Sequence, residues 1–452
     1  MRIHFIGIGG IGISALAKYF LVKGNKVSGS DLSSSDIIDT LKKMGAEIKI
    51  GKQKAENIFA KTDLVLITPA IKKDNPEFQE AKKRKIKIQT WEKALGELTK
   101  EHFMIGISGT HGKSTTTSMI GLLLWRAKLD PSVIVGTKLK EFGNNNCRVG
   151  KPIRQAQGKI QYLVVEADEY KSSFLNYRSK LVVLTNIELE HPDYFKDLKH
   201  YLSVFEKYLL RAKKTDSIVI ANRDDKNIVK LINKVGVKKI YYSLKQPETK
   251  KIRQIIKLPG EHNIYNALAT LATGRFLKIP DKIIFDAISK YKGAWRRFEI
   301  KKLRIGGYKL PITLISDYGH HPTQVRVTIA AAKEKFPERK IWMVYQAHQY
   351  LRTYYLFDEY VKAFDQADEI VLPEIYYVSG REKKSIVKNL NSEVLAQAIR
   401  KRFKKMGKMA KVHSLKSYTE VPKFLIPRIK NGDVIISMGA GDIYRLDSLL
   451  QG

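Results

Sequence analysis

Residues 102–125 read HFMIGISGTHGKSTTTSMIGLLLW, and this stretch decides the fold of its part of the chain. The apolar run His102–Ser108 predicts a buried strand, and Thr115–Trp125 predicts a helix. Between them, Gly109–Ser114 place two glycines, a lysine and a serine. Backbone N–H groups at a helix N-terminus bind anions, a lysine ammonium can reach the terminal phosphates, and a serine hydroxyl can ligate Mg²⁺. The stretch therefore predicts a phosphate loop, shorter than usual because Ile107 stands where its first glycine belongs.

Strand-like apolar runs alternate with helical periodicity along the rest of the chain as well. This alternation predicts an α/β fold with mostly parallel sheets. At 452 residues the chain exceeds what one hydrophobic core usually supports, so we expect three domains, over residues 1–99, 100–300 and 301–452. Residues 143–161, which are rich in Gly, Asn, Gln and Lys, predict a long surface loop.

The cysteine content and the hydropathy pattern limit where the protein can work. Cys147 is the only cysteine, which excludes an internal disulfide framework and a multi-cysteine metal site. A single thiol suits a reducing compartment, so we expect the cytoplasm. No uninterrupted apolar segment approaches the roughly 20 residues that cross a bilayer, so no membrane insertion is expected.

The formal charge of +37 raises a second class of function, a nucleotide-regulated nucleic-acid-binding protein. The lysines, however, are spread over every segment, and no RNA-binding signature or zinc-finger spacing accompanies them. A solvated basic surface, which would also steer anionic substrates, accounts for this pattern. We therefore expect no nucleic-acid partner.

A second glycine-rich turn, Gly7–Gly12, follows the first strand of the chain, and Asp31 ends the next strand. Such a turn lets a diphosphate approach the backbone, and the acid can accept a ribose hydroxyl. Because any diphosphate nucleotide satisfies this geometry, the turn does not indicate NAD in particular. A purely structural turn remains an alternative.

Polar clusters also follow two strands of the middle block. Glu166–Glu169 provide three acids in four residues and could hold Mg²⁺, with a solvated acidic turn as the alternative. Asn186–His191 follow the next strand, and His191 could ligate a second cation or contact phosphate, or be an ordinary surface histidine. Asn263 and Asn266 are three residues apart and would share a helical face, which suits adenine or ribose binding but also capping and packing.

Two further clusters follow neighbouring strands of the third block. Asp317–Pro322 ends the first strand, and His348 and Arg352 follow the second. Both clusters would lie at the carboxyl edge of one sheet. Histidine and arginine at that edge suit recognition of a carboxylate, and ordinary loop polarity is the alternative.

Taken in order along nearly the whole chain, these motifs resemble the Mur ligase family. Arg296-Arg297-Phe298 and Gly439–Asp442 belong to the same ordered set. The resemblance implies three α/β domains: an N-terminal Rossmann-like domain that binds a UDP-sugar, a central P-loop ATPase-type domain that binds ATP, and a C-terminal Rossmann-like domain that brings the amino acid.

The resemblance also implies residue roles. The catalytic set would be Lys113, Glu166, His191 and Arg297. Mg²⁺ would be held by Ser114, Glu166 and His191. The residues that contact ATP would be Gly109, Thr110, His111, Gly112, Lys113, Ser114, Thr115, Asn263, Asn266, Arg297 and Asp317. Those that contact the other substrates would be Gly9, Gly10, Gly12, Ser14, Asp31, Tyr318, His320, His348 and Arg352.

Within the family, the motifs imply the branch that joins L-alanine to the carboxylate of UDP-N-acetylmuramate through an acyl phosphate, in peptidoglycan precursor synthesis. Two positions depart from that branch. Gln349 stands where an arginine is expected, and an amide cannot replace a bidentate guanidinium. Glu169-Tyr170 resembles the related recycling ligase, which attaches a tripeptide to UDP-N-acetylmuramate and is the alternative. We expect a monomer or a weak homodimer.

Overall fold

The computed structural model describes residues 1–151, 160–304, 311–378, 382 and 389–451. It confirms the α/β class, because three mainly parallel sheets are each flanked by helices. The chain divides into two compact units. The first unit comprises Met1–Ile187, Leu202–Glu248 and Asn266–Ile288, and the second comprises Glu188–Tyr201, Thr249–Tyr265 and Ser289–Gly452. The three domain boundaries expected from the sequence stay a prediction.

The first sheet has five parallel strands in the order β3-β2-β1-β4-β5. Its strands are β1 (Arg2–Ile6), β2 (Lys26–Asp31), β3 (Glu47–Ile50), β4 (Leu64–Ile67) and β5 (Lys87–Thr90). Its helices are α1 (Ile11–Val22), α2 (Asp36–Lys43), α3 (Pro76–Lys83) and α4 (Trp91–Leu98). The strand order reverses beside β1, so the turn Gly7–Gly12 lies at the switch point where open α/β sheets bind ligands.

The second sheet belongs to the same unit and has the order β12-β11-β10-β6-β9-β7-β8. Its strands are β6 (Phe103–Ser108), β7 (Ser132–Leu139), β8 (Asn145–Arg148), β9 (Tyr162–Glu166), β10 (Leu181–Leu184), β11 (Ile218–Asn222) and β12 (Lys239–Tyr242). The helices of this part of the chain are α5 (Lys113–Arg126), α6 (Leu198–Lys214), α7 (Lys226–Val235), α8 (Glu248–Ile255), α9 (Glu261–Phe276) and α10 (Asp281–Lys290). Strand β6 lies between β9 and β10, so the phosphate loop that follows it also lies at a switch point.

The long surface loop expected over residues 143–161 is wrong at its start. Asn145–Arg148 form β8, which pairs antiparallel with β7, and Asn146 and Cys147 are buried. The physical reason is a tertiary one: a polar, turn-rich composition does not reveal that a neighbouring edge strand will pair with the segment. Residues 152–159 lie outside the described residues.

The third sheet belongs to the second unit and has the order β13-β14-β18-β15-β16-β17. Its strands are β13 (Glu299–Arg304), β14 (Pro311–Asp317), β15 (Ile341–Tyr345), β16 (Glu369–Pro373), β17 (Lys411–Leu415) and β18 (Val434–Met438). Its helices are α11 (Pro322–Lys335), α12 (Tyr350–Tyr355), α13 (Phe357–Ala363), α14 (Ser392–Lys405), α15 (Val421–Leu425) and α16 (Leu446–Gln451). Only β13 runs antiparallel, at the edge of the sheet.

Helices on both faces of the third sheet explain its continuous apolar strands. Ile341 and Met343 of β15 pack into one core cluster, whereas Trp342 and Val344 pack into another. A strand buried on both sides needs apolar residues at every position, which is why β15 shows no alternation. Among the described residues, no helix combines the length and the apolarity that crossing a bilayer requires.

Candidate active site

The phosphate loop depends on two glycines that no other residue can replace without strain. Gly109 has φ 130° and Gly112 has φ 82°, values that L-amino acids rarely adopt. A Cβ on Gly109 would lie 2.2 Å from the Thr185 hydroxyl oxygen, and one on Gly112 would lie 2.5 Å from the Asn266 side-chain oxygen. Both glycines therefore allow a close approach between the loop and the residues behind it.

Asn186, which follows β10, forms hydrogen bonds to the phosphate loop. The N–H of Thr110 donates to the Asn186 carbonyl oxygen (2.9 Å), and that of His111 donates to the Asn186 Oδ1 (2.9 Å). The Asn186 amide in turn donates to the His111 carbonyl (3.0 Å). These bonds fix the path of the loop before any nucleotide binds, because β10 and β6 are neighbours in the sheet.

Lys113 begins α5, and its side chain is 14% exposed. Its ammonium nitrogen lies 2.9 and 3.1 Å from the two carboxylate oxygens of Glu169 and 2.7 Å from the Gly109 carbonyl oxygen. Asp168 lies 3.9 Å away. Burial alone lowers the pKa of Lys113, but Glu169 and Asp168 outweigh it and raise that pKa. The side chain stays a cation at the mouth of the loop.

The position of Glu169 disfavours the ionised form of its own carboxyl group. It has no exposed surface, and burial raises its pKa to about 7 although Lys113 opposes the shift. The sequence predicted a cation site from Glu166–Glu169 as a whole and did not identify Glu169 as the partner of Lys113. No spacing signal could have done so, because the contact depends on how the chain turns after β9.

Glu166 ends β9 directly beside β6, in register with Ile107. One of its carboxylate oxygens accepts the N–H of Gly136 at 2.7 Å. Ser114, in the first turn of α5, is buried. A hydroxyl and a carboxylate beside an anion-binding loop are the hard oxygen donors that Mg²⁺ prefers, so the chemistry of these residues fits the expected ion.

The other predicted ATP and metal residues lie in well-defined local structures. Asn266 accepts a hydrogen bond from the Thr116 hydroxyl (3.1 Å), directly behind the phosphate loop. Asn263, in the first turn of α9, donates its side-chain N–H to the Pro259 carbonyl (2.7 Å). His191 belongs to the second unit and has a left-handed backbone with φ 55°. The ligand roles of these three residues stay predictions.

In the first sheet, the structure brings Asp31 and the glycine turn together. The N–H of Gly9 donates to an Asp31 carboxylate oxygen at 2.8 Å. A Cβ on Gly12 would lie 2.8 Å from the Trp91 ring, so the turn is closely covered. Ser14 is buried, and its hydroxyl donates to the Ile11 carbonyl (3.0 Å). Gly10 is the N-cap of α1 and is exposed.

Asp317 ends β14 in the second unit and is fixed by the backbone. Its two carboxylate oxygens accept the N–H groups of Phe298 (2.8 Å) and Gly319 (2.7 Å). Burial raises its pKa, and Arg297 opposes that shift. The guanidinium of Arg297 lies 5.1 Å from the centre of the Tyr318 ring. The structure therefore brings the predicted residues Asp317, Arg297 and Tyr318 together.

The neighbouring Arg296 was not among the predicted site residues, and it is a structural cation. It is buried, donates to the Gly439 carbonyl, and has the rings of Trp295, Tyr318 and Tyr444 at 5.5, 4.9 and 4.7 Å. Cation–π contacts of this kind stabilise a guanidinium out of water. Two consecutive arginines thus differ in surroundings, since Arg296 is buried and Arg297 is partly exposed, and their sequence alone does not reveal this.

The predicted carboxylate-binding residues of the third block also meet in the structure. Arg352 is only 2% exposed, and its guanidinium donates to the His348 carbonyl (2.9 Å) and to Glu190 (2.7 Å). His320 lies 3.5 Å from the other oxygen of Glu190. Burial opposes ionisation of Glu190, but Arg352 and His320 outweigh it and hold its pKa well below the ordinary value. Arg352 therefore binds a carboxylate in this structure, and that carboxylate belongs to Glu190.

Gln349 occupies a strained position beside these residues. Its backbone has φ 74° at the N-cap of α12, and its side chain is buried. The backbone N–H donates to the Tyr376 carbonyl (2.9 Å), and the carbonyl accepts from the Thr353 hydroxyl (2.9 Å). The departure noted in the sequence thus falls within the turn that carries His348 and Arg352.

Comparisons with known proteins agree along the whole chain. Three family models match: the Mur ligase catalytic domain over residues 2–103, the Mur ligase middle domain over 107–274, and the glutamate ligase domain of Mur ligases over 296–441. A UDP-N-acetylmuramate–L-alanine ligase of Clostridium botulinum is 39% identical over 99% of this chain and 97% of its own length.

Solved structures give the same picture. A UDP-N-acetylmuramate–alanine ligase of Thermotoga maritima matches with a TM-score of 0.78 and 25% identity, over 99% of this chain and 97% of its own. A murein peptide ligase of Psychrobacter arcticus shares the fold, with a TM-score of 0.70 and 21% identity over 100% of this chain and 99% of its own. From the full-length identity and the three consecutive domain matches, the chain belongs to the Mur ligase family.

Proposed function

We propose that this chain is an ATP-dependent ligase that joins L-alanine to the carboxylate of UDP-N-acetylmuramate, in peptidoglycan precursor synthesis. The observation that carries the proposal is the full-length identity of 39% to a curated ligase of that specificity. The Lys113 ammonium, held at the phosphate loop by Glu169 and the Gly109 carbonyl, supports the proposal because it can balance phosphate charge. The single buried Cys147 suits the cytoplasm as the place of the reaction.

In the first step, an oxygen of the muramic acid carboxylate attacks the γ-phosphorus of ATP. The bond from that phosphorus to the bridging oxygen breaks, ADP leaves, and an acyl phosphate forms. The N–H groups of Gly109–Ser114 bind the phosphates, and the Lys113 ammonium balances the charge that develops on the transferred group. We assign Arg297, Asn263, Asn266 and Asp317 to holding the nucleotide.

Ser114, Glu166 and His191 would hold magnesium. The ion, when bound, neutralises triphosphate charge and polarises the transferred phosphoryl group. The oxygen donors of Ser114 and Glu166 suit this role, since Mg²⁺ is bound through carboxylates, water and phosphate oxygens.

In the second step, the amine of L-alanine attacks the acyl carbon, the carbon–oxygen bond to phosphate breaks, and the amine loses a proton. We assign Arg352, His348, His320 and Tyr318 to the amino acid. We assign the turn of Gly9, Gly10 and Gly12, together with Ser14 and Asp31, to the UDP group. For this step, the reacting atoms must be held in position and shielded from water, because water would hydrolyse the acyl phosphate.

A phosphate-release assay tests the proposal. Purified enzyme, ATP, Mg²⁺ and UDP-N-acetylmuramate are combined with L-alanine, glycine, L-serine or the tripeptide L-alanyl-γ-D-glutamyl-diaminopimelate. We expect the highest kcat/KM with L-alanine. Turnover with the tripeptide alone would instead establish the recycling ligase that the Glu169-Tyr170 pair suggests. Retention of DNA or RNA at moderate salt, without any response to UDP-N-acetylmuramate, would support the nucleic-acid-binding class.

A further inference from the structure

A buried lysine, Lys18, joins the first sheet of the molecule to the second, outside the predicted site. Its side chain is 4% exposed, and its ammonium donates to the side-chain oxygens of Asn145 (2.8 Å) and Asn146 (2.9 Å). Lys18 lies on α1, and the two asparagines lie on β8. Helix α1 packs against both β7 and β8, so the contact is part of an extended interface within the first unit.

Asn146 also contacts the first turn of α1, which follows the glycine turn. Its amide nitrogen donates to the Ile11 carbonyl (2.6 Å) and to the Ser14 hydroxyl (3.2 Å), which form the first turn of α1. Ile11, Ser14 and Lys18 are spaced by three and four residues and so share one face of the helix. That face therefore contacts the β7–β8 hairpin at the end of α1 that follows Gly7–Gly12.

The charge of Lys18 orients the Asn146 amide. An ammonium group can only donate, so it selects the oxygen of the amide and leaves the nitrogen for the Ile11 carbonyl. The pKa of Lys18 is lowered to about 8, chiefly by burial, with Cys147 opposing the shift and Lys138 adding to it. Burying an ammonium that only neutral amides contact costs free energy, and an uncharged side chain of the same length would be buried there at a lower free-energy cost.

We propose that Lys18 is a positioning residue, which acts through Asn146 to hold the glycine turn of the first sheet at a fixed place relative to the sheet that carries the phosphate loop. The inference rests on the proposed function only in assigning the UDP group to that turn. Another polar link between the two sheets, the pair of Lys138 and Asp36 (3.6 Å), reaches α2, whereas the link through Lys18 and Asn146 reaches the first turn of α1, directly beside the glycine turn. A displacement of about 1 Å between reacting groups can cost on the order of 100-fold in rate.

The test compares Lys18→Met with Lys18→Arg and with Lys42→Met, a control that removes an exposed lysine of α2 in the same sheet. For each variant, UDP binding is measured by calorimetry, and KM for ATP, KM for UDP-N-acetylmuramate and kcat are measured in steady state. All measurements are made well below the melting temperature of the least stable variant. This keeps loss of folded protein separate from loss of positioning.

For Lys18→Met we expect UDP affinity and kcat/KM for UDP-N-acetylmuramate to fall about tenfold, with KM for ATP within twofold of wild type. Lys18→Arg should recover most of the loss, and Lys42→Met should change nothing. Unchanged UDP affinity and kinetics in Lys18→Met would overturn the inference, and so would an equal loss for ATP. If wild-type enzyme turned over no substrate, the proposed function would fail, whereas UDP binding by the variants would still decide the role of Lys18.

Discussion

Two ion pairs, one in each compact unit, each join a cationic side chain to a buried glutamate, but the pKa values of the two glutamates shift in opposite directions. In the first unit, Lys113 contacts Glu169, and burial raises the pKa of that carboxyl to about 7. In the second unit, Arg352 contacts Glu190, whose pKa is held well below its ordinary value. All four side chains are at most 14% exposed, so exposure does not explain the difference.

The difference lies in the neighbours of each carboxylate. Glu190 has the Arg352 guanidinium at 2.7 Å and the imidazoles of His320 and His321 nearby, and these groups together lower its pKa. Burial and the nearby acid Asp168 oppose the ionisation of Glu169, and the Lys113 ammonium favours it. The comparison teaches that a buried pair is stable in its charged form only when further polar groups complete it. Beside the phosphate loop, burial and Asp168 outweigh Lys113 and raise the pKa of Glu169, whereas in the second unit Arg352 and the two imidazoles outweigh burial and lower the pKa of Glu190.

The largest effect should come from Lys113→Ala. Removing the ammonium removes the charge that faces the transferred phosphoryl group, so we expect the rate of phosphate release to fall about 1000-fold or more. The far-UV circular dichroism spectrum should match that of wild type, since Lys113 lies at the start of α5 and outside the core. Turnover near the wild-type rate would refute the role assigned to this residue.

The next largest effect should come from Glu190→Gln. This change leaves the buried guanidinium of Arg352 without its counter-charge, and we expect the free energy of unfolding to fall by about 3 kcal/mol. Urea denaturation followed by fluorescence measures it. Glu261→Gln serves as the control, because its pair with Arg253 is half exposed and should contribute less than about 1 kcal/mol. Equal losses in the two variants would show that Glu190 and Arg352 do not form a stabilising buried pair.

The smallest effect should come from Glu169→Gln, and it should depend on pH. Since the folded protein raises this pKa from 4.5 to about 7, its stabilising contribution is complete below pH 4.5 and is lost as the pH rises through 7. The variant lacks this loss. The unfolding free energy of the variant relative to wild type should therefore rise between pH 5 and pH 8. The rise should be on the order of 2 kcal/mol, since a pKa shift of one unit corresponds to about 1.4 kcal/mol.

Urea denaturation at the two pH values provides the measurement. A difference between variant and wild type that stays constant from pH 5 to pH 8 would contradict the shifted carboxyl. Glu190 itself titrates in a different range. With a lowered pKa, it contributes stability above its ordinary value and loses it only as the pH falls through the folded-state value, so its own ionisation is complete at pH 5. A change of the Glu190→Gln variant between pH 5 and pH 8 would therefore report His320, whose pKa Glu190 raises.

The sequence predicted the fold well because its signals are local. The strand predicted over His102–Ser108, for example, is β6 (Phe103–Ser108) in the structure, since a buried parallel strand is a short, continuous apolar run. The phosphate loop was also recognisable, because glycines, a lysine and a serine between a strand and a helix have few other uses. The prediction for residues 143–161 was wrong at β8, where pairing with β7 overrides a composition typical of loops.

The partners of the predicted site residues could not be obtained in the same way. Glu169 and Glu190 contact residues 56 and 162 positions away, and Arg296 contacts rings from distant segments, such as that of Tyr444. Lys18 is a similar case, because a lysine on a short helix is typical of a solvated face. Its burial follows only from the hairpin that covers α1.

By itself, the amino-acid sequence determined the α/β class, the positions of the glycine turns and the types of chemical group that end each strand. These features depend on backbone sterics and on the apolar period of neighbouring residues. Only the tertiary structure decided which charges are neutralised and which carboxyls keep a proton. The reason is that a pKa depends on burial and on groups brought together across the sheet, and neither is encoded in the spacing of residues along the chain.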